Sequence, residues 1–268
     1  METTSGQDRP RKDTTTALGK WQASKTLNIA HRGASGHAPQ NTMAAFVLAA
    51  EMGADGIELD VHLSADGELV VIHDHTVDAT TDGHGAVSAL SLAQLQQLDA
   101  GGRFDPRYAG ERIPTLRQVF AGVGQRLLIN VEIKVAPGHH PERLEPEVVR
   151  LIEESGMIDR VLISSFSTRS LRRVRGLNRR IPLALLYSRP APAALPYLGR
   201  WSRIAYDALH PRYDLVGAPL LARARTRGQR VNVWTVNEAA EMRRMRDLGV
   251  DGIITNYPDV LRDVLAGA

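Results

Sequence analysis

The chain has 268 residues, with 33 Lys and Arg against 30 Asp and Glu, and no cysteine. No linker interrupts it, so one domain of the barrel size class is expected. Without cysteine there are no disulfides, thiolate metal sites or cysteine nucleophiles, which fits a reducing, cytoplasmic setting and leaves only oxygen and histidine as metal ligands.

Met1 to Ser24 is rich in Thr, charge and Gln and has no apolar run, so it resembles neither a signal peptide nor a membrane span. Residues 1–25 are expected to be a disordered N-terminal segment, and residues 26–268 the folded domain. A first strand runs from Leu27 to His31. Asn41 or Thr42 then caps a helix whose apolar positions Met43, Phe46, Val47 and Ala50 follow helical spacing, with Gly53 closing it. Gly56-Ile57-Glu58-Leu59-Asp60-Val61 alternates as a strand, so both carboxylates leave one face. The link around Asp66-Gly67 is too short for a parallel crossover and must be a hairpin. Folding about that turn pairs Val61 with Val71 and returns His73 to the side of Leu59 and Asp60.

A mixed stretch at about residues 83–114, punctuated by Gly101-Gly102 and Asp105-Pro106, reads as a small insertion after this hairpin. Phe104 and Tyr108 within it either cover a site or pack under their own loop. From Thr115 strand and helix alternate. Strands are expected at Leu127 to Lys134, Val161 to Phe166, Pro182 to Tyr187, Ala205 to His210, Arg230 to Val236 and Gly252 to Asn256. Helices are expected from Pro141 to Ser155, from Thr168 with Ser167 as cap, after a cap at Asn237, and at the C-terminus. About eight strand-helix units predict an α/β fold of the TIM-type (β/α)8 barrel class. An open doubly wound sheet is the alternative, but it gathers its chemistry in one crevice. Here His31, Glu58, Asp60, Glu132, Lys134, Ser165, His210, Trp234 and Asn256 stand at the carboxyl ends of strand after strand, which in a barrel share one mouth.

Glu132 and Lys134 face the same way as Glu58 and Asp60. Three carboxylates from two strands make a hard oxygen site for one divalent cation, Mg²⁺ or Ca²⁺, unless they serve as ion-pair partners of Arg32 and Lys134. Lys134 is the only lysine beyond Lys25 in a chain that otherwise uses arginine, which suits a compact ammonium facing phosphate or carboxylate. His31 and His73 have the titration range of a general base and a general acid. Trp234 either walls the pocket or packs in the core. The runs Arg172-Arg173-Val174-Arg175 and Arg243-Arg244-Met245-Arg246 read as solvated helix faces, so neither nucleic acid nor a stable membrane anchor is expected.

At these residues the chain resembles the glycerophosphodiester phosphodiesterase family. The matching pieces are His31-Arg32-Gly33-Ala34, Pro39-Gln40-Asn41-Thr42, Glu58-Leu59-Asp60-Val61, Asp66-Gly67, His73-Asp74, Glu132-Ile133-Lys134, Ser165-Phe166, Trp234-Thr235-Val236-Asn237 and Gly252-Ile253-Ile254-Thr255. They run in family order from about residue 27 to the C-terminus. The resemblance implies a TIM barrel with a small insertion, Glu58, Asp60 and Glu132 as metal ligands, His31 and His73 as the acid/base pair, and Arg32 and Lys134 on the phosphate. The implied reaction is hydrolysis of a glycerophosphodiester to glycerol 3-phosphate and an alcohol. Gln40 stands where the family usually has Glu, and Ala79 where it tends to have Arg. Rival readings keep the site with lysophospholipid or sphingolipid head groups as substrate, or make the barrel a non-catalytic phosphodiester binder. Head group, choice of ion and oligomeric state are not specified by the sequence.

Overall fold

The computed structural model describes residues 18–135, 142–189 and 205–267. Its elements are β1 (Leu27–His31), α1 (Met43–Glu51), β2 (Gly56–Leu63), β3 (Leu69–Val71), α2 (Leu92–Leu95), α3 (Leu116–Val123), β4 (Leu128–Ile133), α4 (Leu144–Glu154), β5 (Val161–Ser165), α5 (Thr168–Leu177), β6 (Leu183–Tyr187), β7 (Ala208–Pro211), α6 (Ala218–Thr226), β8 (Arg230–Val233), α7 (Ala239–Leu248), β9 (Gly252–Thr255) and α8 (Pro258–Ala266). The expected start of the helix at Pro141, and residues 1–17 of the expected N-terminal segment, lie outside the described residues. Eight parallel strands close a barrel in the order β1, β2, β4, β5, β6, β7, β8, β9, with β9 pairing back onto β1. This is the TIM-type (β/α)8 barrel.

The strands are apolar on both faces at their amino ends because helices cover the outside and side chains fill the inside. Outward residues such as Ala30, Ile57, Leu59, Val131 and Ile163 join the main core under the helices. Inward residues Leu27, Ile29, Leu128, Leu162, Ala184, Ala208 and Ile254 form a separate apolar floor with Leu18 and Trp21. Residues 18–25 thus lie on the folded side of the expected boundary at residue 25. Leu18 and Trp21 are 2% and 3% exposed, and the Trp21 indole N–H donates to the Arg160 carbonyl at 3.1 Å. Above the floor the inward positions turn polar, with Glu58, Asp60, Asn130, Glu132, Ser164, His210 and Asn232 all buried.

The hairpin has the expected register: Val61 pairs with Val71, and the Ile72 N–H donates to the Asp60 carbonyl at 3.0 Å. The insertion builds a small core from Val87, Leu95, Ala100 and Ile113 on Val70, Ile72 and Val77. Thr42, not Asn41, caps α1 by accepting from the Ala45 N–H, and Ser167 caps α5 as expected. The expected cap at Asn237 does not form. Helix α7 starts after Glu238 without a side-chain cap, and the Asn237 amide oxygen instead accepts from the Asn256 N–H at 3.0 Å. Its position one strand from the carboxyl end of β9 gives it a tertiary partner in place of a helix terminus.

Candidate active site

The loop after β1 turns sharply through two consecutive left-handed residues, Arg32 at φ +56° and Gly33 at φ +81°. Only glycine fits the second, since a Cβ there would meet the Ala45 carbonyl carbon at 2.6 Å. The turn presents the Arg32 N–H to the Glu58 carbonyl at 2.9 Å and to Glu58 Oε2 at 3.2 Å, and it folds the guanidinium back over Asp60, Nε to Oδ2 at 3.4 Å.

Asp60 pairs in register with Glu132 across β2 and β4, which sets their carboxylates side by side. Glu58, Asp60 and Glu132 each offer an oxygen within 4.8 Å of the other two, and all three are buried. Lys134 Nζ bridges two of them, at 3.0 Å from Asp60 Oδ1 and 2.8 Å from Glu132 Oε1. Burial, with the Asp60 and Glu132 charges added, pushes Glu58 well above the usual carboxylate range. Burial also lifts Glu132 to about 7 in spite of Lys134. Burial would raise Asp60 as well, but Lys134, Arg32, His73 and the Asn41 amide together hold it below its ordinary value. The crowding that lifts Glu58 and Glu132 is what two fixed cations, Arg32 and Lys134, leave among three buried acids. An all-oxygen donor set of this kind fits a hard divalent cation.

His31 and His73 line the inner mouth together with the cluster. His31 Nε2 is 3.8 Å from Glu58 Oε2, and its Nδ1 is 2.8 Å from Asn256 Oδ1. Burial, with Arg32 adding repulsion, lowers this imidazole to about 4. His73 pairs through Nδ1 with Asp74 Oδ1 at 2.7 Å. Its pKa is lowered too, chiefly by burial, with Asp60 pulling the other way.

Two cavities open from the site and share His31 and Arg32. The inner one, about 120 Å³ in the barrel mouth, is lined by Glu58, His73, Glu132 and Lys134 and walled by Phe166, Leu186 and Trp234. The outer one, about 330 Å³, lies under the insertion against Gln40, Ala79, Thr80, Phe104 and Asn256. Trp234 meets both of its expectations: it walls the inner cavity in edge contact with Phe166, and it packs on the barrel floor. Phe104 lines the outer cavity, while the Tyr108 hydroxyl donates to the His37 carbonyl at 3.1 Å. Gln40 keeps a tie to Arg32, accepting from Nη1 at 2.6 Å.

His31, Arg32, Glu58, Asp60, His73, Glu132, Lys134 and Trp234 therefore converge on one mouth, whereas Ser165 does not: its hydroxyl donates to the Ile133 carbonyl at 2.9 Å, and Ser164, on the inward face of the strand, lines the cavity in its place. Sequence reasoning missed Asn41, whose Nδ2 donates to Asp60 Oδ2 at 2.9 Å. Its φ of +59° is a backbone position asparagine tolerates better than most residues, and that preference was the available signal. Phe166 and the contact of Asn256 with His31 were also not anticipated, because both depend on partners far away in the chain.

The glycerophosphoryl diester phosphodiesterase family model matches residues 31–260. A glycerophosphodiester phosphodiesterase of Caldanaerobacter subterraneus is 44% identical over 242 residues, covering 88% of this chain and 96% of the relative. One from Bacillus subtilis is 33% identical over 258 residues, covering 91% and 87%. Among solved structures, an Oleispira antarctica phosphodiesterase in complex with the product sn-glycerol-3-phosphate has a TM-score of 0.78 at 30% identity, covering 89% of this chain and 96% of that one. The Agrobacterium tumefaciens glycerophosphodiester phosphodiesterase has the same TM-score at 29% identity, covering 89% and 99%. With its barrel, its acidic cluster and these relatives on one footing, the chain belongs to the glycerophosphoryl diester phosphodiesterase family and is a phosphoric diester hydrolase.

Proposed function

We propose that the enzyme hydrolyses glycerophosphodiesters, with glycerophosphocholine and glycerophosphoethanolamine as simple representatives, to glycerol 3-phosphate and an alcohol. The observation that carries this reading is the convergence of three carboxylates, two fixed cations and two imidazoles on one barrel mouth. The solved relative in complex with glycerol 3-phosphate supports the product. Glu58, Asp60 and Glu132 would hold one divalent cation, Mg²⁺ or Ca²⁺. Bound there, it supplies Lewis-acid neutralisation of the phosphoryl oxygens.

Arg32 and Lys134 bind the phosphate and stabilise the charge that grows on it as the P–O bond is exchanged. Asp74 holds the His73 ring through Nδ1 at 2.7 Å, and His73 would protonate the departing alkoxide. His31 is left as the base, taking a proton from water or from the glycerol 2-hydroxyl by way of a cyclic phosphate. Trp234 and Phe166 wall the substrate. The cysteine-free composition supports a cytoplasmic setting; none of the described helices is long and apolar enough to cross a membrane.

A second reading, action on lysophospholipids, has one observation in its favour. Phe104 and Phe166, exposed at 46% and 49%, line the outer and inner cavities and offer apolar surface to an acyl chain. Release of glycerol 3-phosphate from glycerophosphocholine and glycerophosphoethanolamine, with Mg²⁺, Ca²⁺ or EDTA, tests the first reading against lysophosphatidylcholine as the competing substrate. Metal-dependent release that is lost in His31→Ala is expected. No release from either diester by folded protein with either ion would sink it.

A further inference from the structure

His31 can serve as a base through Nε2 only if its proton sits on Nδ1. A neutral imidazole carries one N–H, and its place is set by what each nitrogen faces. Glu58 Oε2 is the nearest acid oxygen on the Nε2 side, at 3.8 Å. Asn256 Oδ1, 2.8 Å from Nδ1, draws the proton to the far side. The shorter contact is hydrogen-bonding distance and the longer is not.

The backbone of Asn256 is gripped from two directions. Its N–H donates to Asn237 Oδ1 at 3.0 Å, and its carbonyl accepts from the Gly36 N–H at 3.0 Å. The neighbouring Thr255 hydroxyl also reaches Asn237 Oδ1 at 3.4 Å, and the Tyr257 N–H returns to the Thr255 hydroxyl at 3.1 Å. The segment that carries the Asn256 amide is thus tied to the loop after β8 and to the loop after β1, which also carries Ser35. The Ser35 hydroxyl donates to the His31 carbonyl at 2.7 Å. Both ends of the His31–Asn256 contact are held by hydrogen bonds from separate elements.

We propose that Asn256 is a positioning residue: its amide oxygen fixes His31 as the Nδ1–H tautomer and turns the Nε2 lone pair toward the substrate. Asn237 is the brace that holds Asn256 in place. This inference rests on the reading of His31 as the base under Proposed function. A neutral amide performs the task without adding a fourth carboxylate to a mouth already rich in them.

The test pairs a tautomer measurement with kinetics. In wild type with ¹⁵N-labelled histidine, long-range ¹H–¹⁵N correlation at neutral pH is expected to show His31 protonated at Nδ1. Asn256→Leu, which removes the acceptor at similar size, is expected to move the proton to Nε2 and to lower kcat by about 100-fold with KM within about twofold. Asn256→Asp restores an acceptor but adds a fourth carboxylate, and is expected to return the proton to Nδ1 and recover part of kcat. Should Asn256→Leu compromise folding, Asn237→Ala is expected to give a smaller kcat loss of the same pattern. An Nε2–H tautomer in wild type would overturn the proposal, as would kcat in Asn256→Leu within about threefold of wild type. The tautomer is read without substrate. A wild-type protein that shows the Nδ1–H form but releases no glycerol 3-phosphate would therefore count against the parent reading, and not against the placement of the proton.

Discussion

His210 gives the fold a specific sensitivity to acid. It projects into the barrel from β7 and is fully buried. Asn232 Nδ2 lies 2.9 Å from its Nε2, and its Nδ1 has no partner among the described residues. Burial lowers the imidazole from 6.5 to about 3. A histidine with a depressed folded-state pKa stays neutral in the fold while the unfolded chain takes up a proton, so stability is complete above pH 6.5 and falls as pH drops from there toward 3. At about pH 5 the unfolded state gains a factor of about 30 from protonation at this one residue, or about 2 kcal/mol. The comparison is with His210→Gln, whose amide oxygen can still accept from Asn232 but does not titrate. His31 and His62, both lowered to about 4 by burial, titrate equally in the two proteins and cancel. Urea unfolding in EDTA at pH 7.5 and 5.0 is expected to show wild type losing about 2 kcal/mol more than the variant. Parallel losses, within about 0.5 kcal/mol, would refute the assignment of a neutral, desolvated His210.

Asn41→Ala removes the amide donor to Asp60 and places alanine at φ +59°; divalent-ion affinity measured by calorimetry is expected to fall about tenfold or more, and stability by about 2 kcal/mol. His73→Gln is expected to reduce kcat by at least about 100-fold while glycerol 3-phosphate still binds with near wild-type affinity; a comparable loss of binding would show that His73 holds the phosphate instead. Trp21→Ala opens the barrel floor and is expected to cost about 3 to 5 kcal/mol in denaturant titrations. A cost below about 1 kcal/mol would mean that the segment is not part of the folded unit.

What the sequence disclosed and what it hid divide along a physical line. The side to which Glu58, Asp60 and Glu132 point follows from a strand's two-residue period, and the return of His73 follows from a turn with Gly67 in the left-handed region, φ +87°. Both are local rules, so the barrel and most of the mouth could be read from residues a few positions apart. Trp21 reaching Arg160, Asn237 reaching Asn256 and Asn256 reaching His31 obey no local rule. A tryptophan among polar residues looked like part of a tail, and an asparagine before a helix looked like a cap. Each was claimed by a partner brought near only when the barrel closed. The residues that would do chemistry therefore sit where local pattern is strongest, at the ends of apolar strands. Those that orient them belong to the loops between, where closure of the barrel chooses the partner. The Asn256 carbonyl illustrates the difference: nothing in Thr255-Asn256-Tyr257 names Gly36 as its donor, yet that bond at 3.0 Å joins the last barrel strand's loop to the first and sets the amide beside His31.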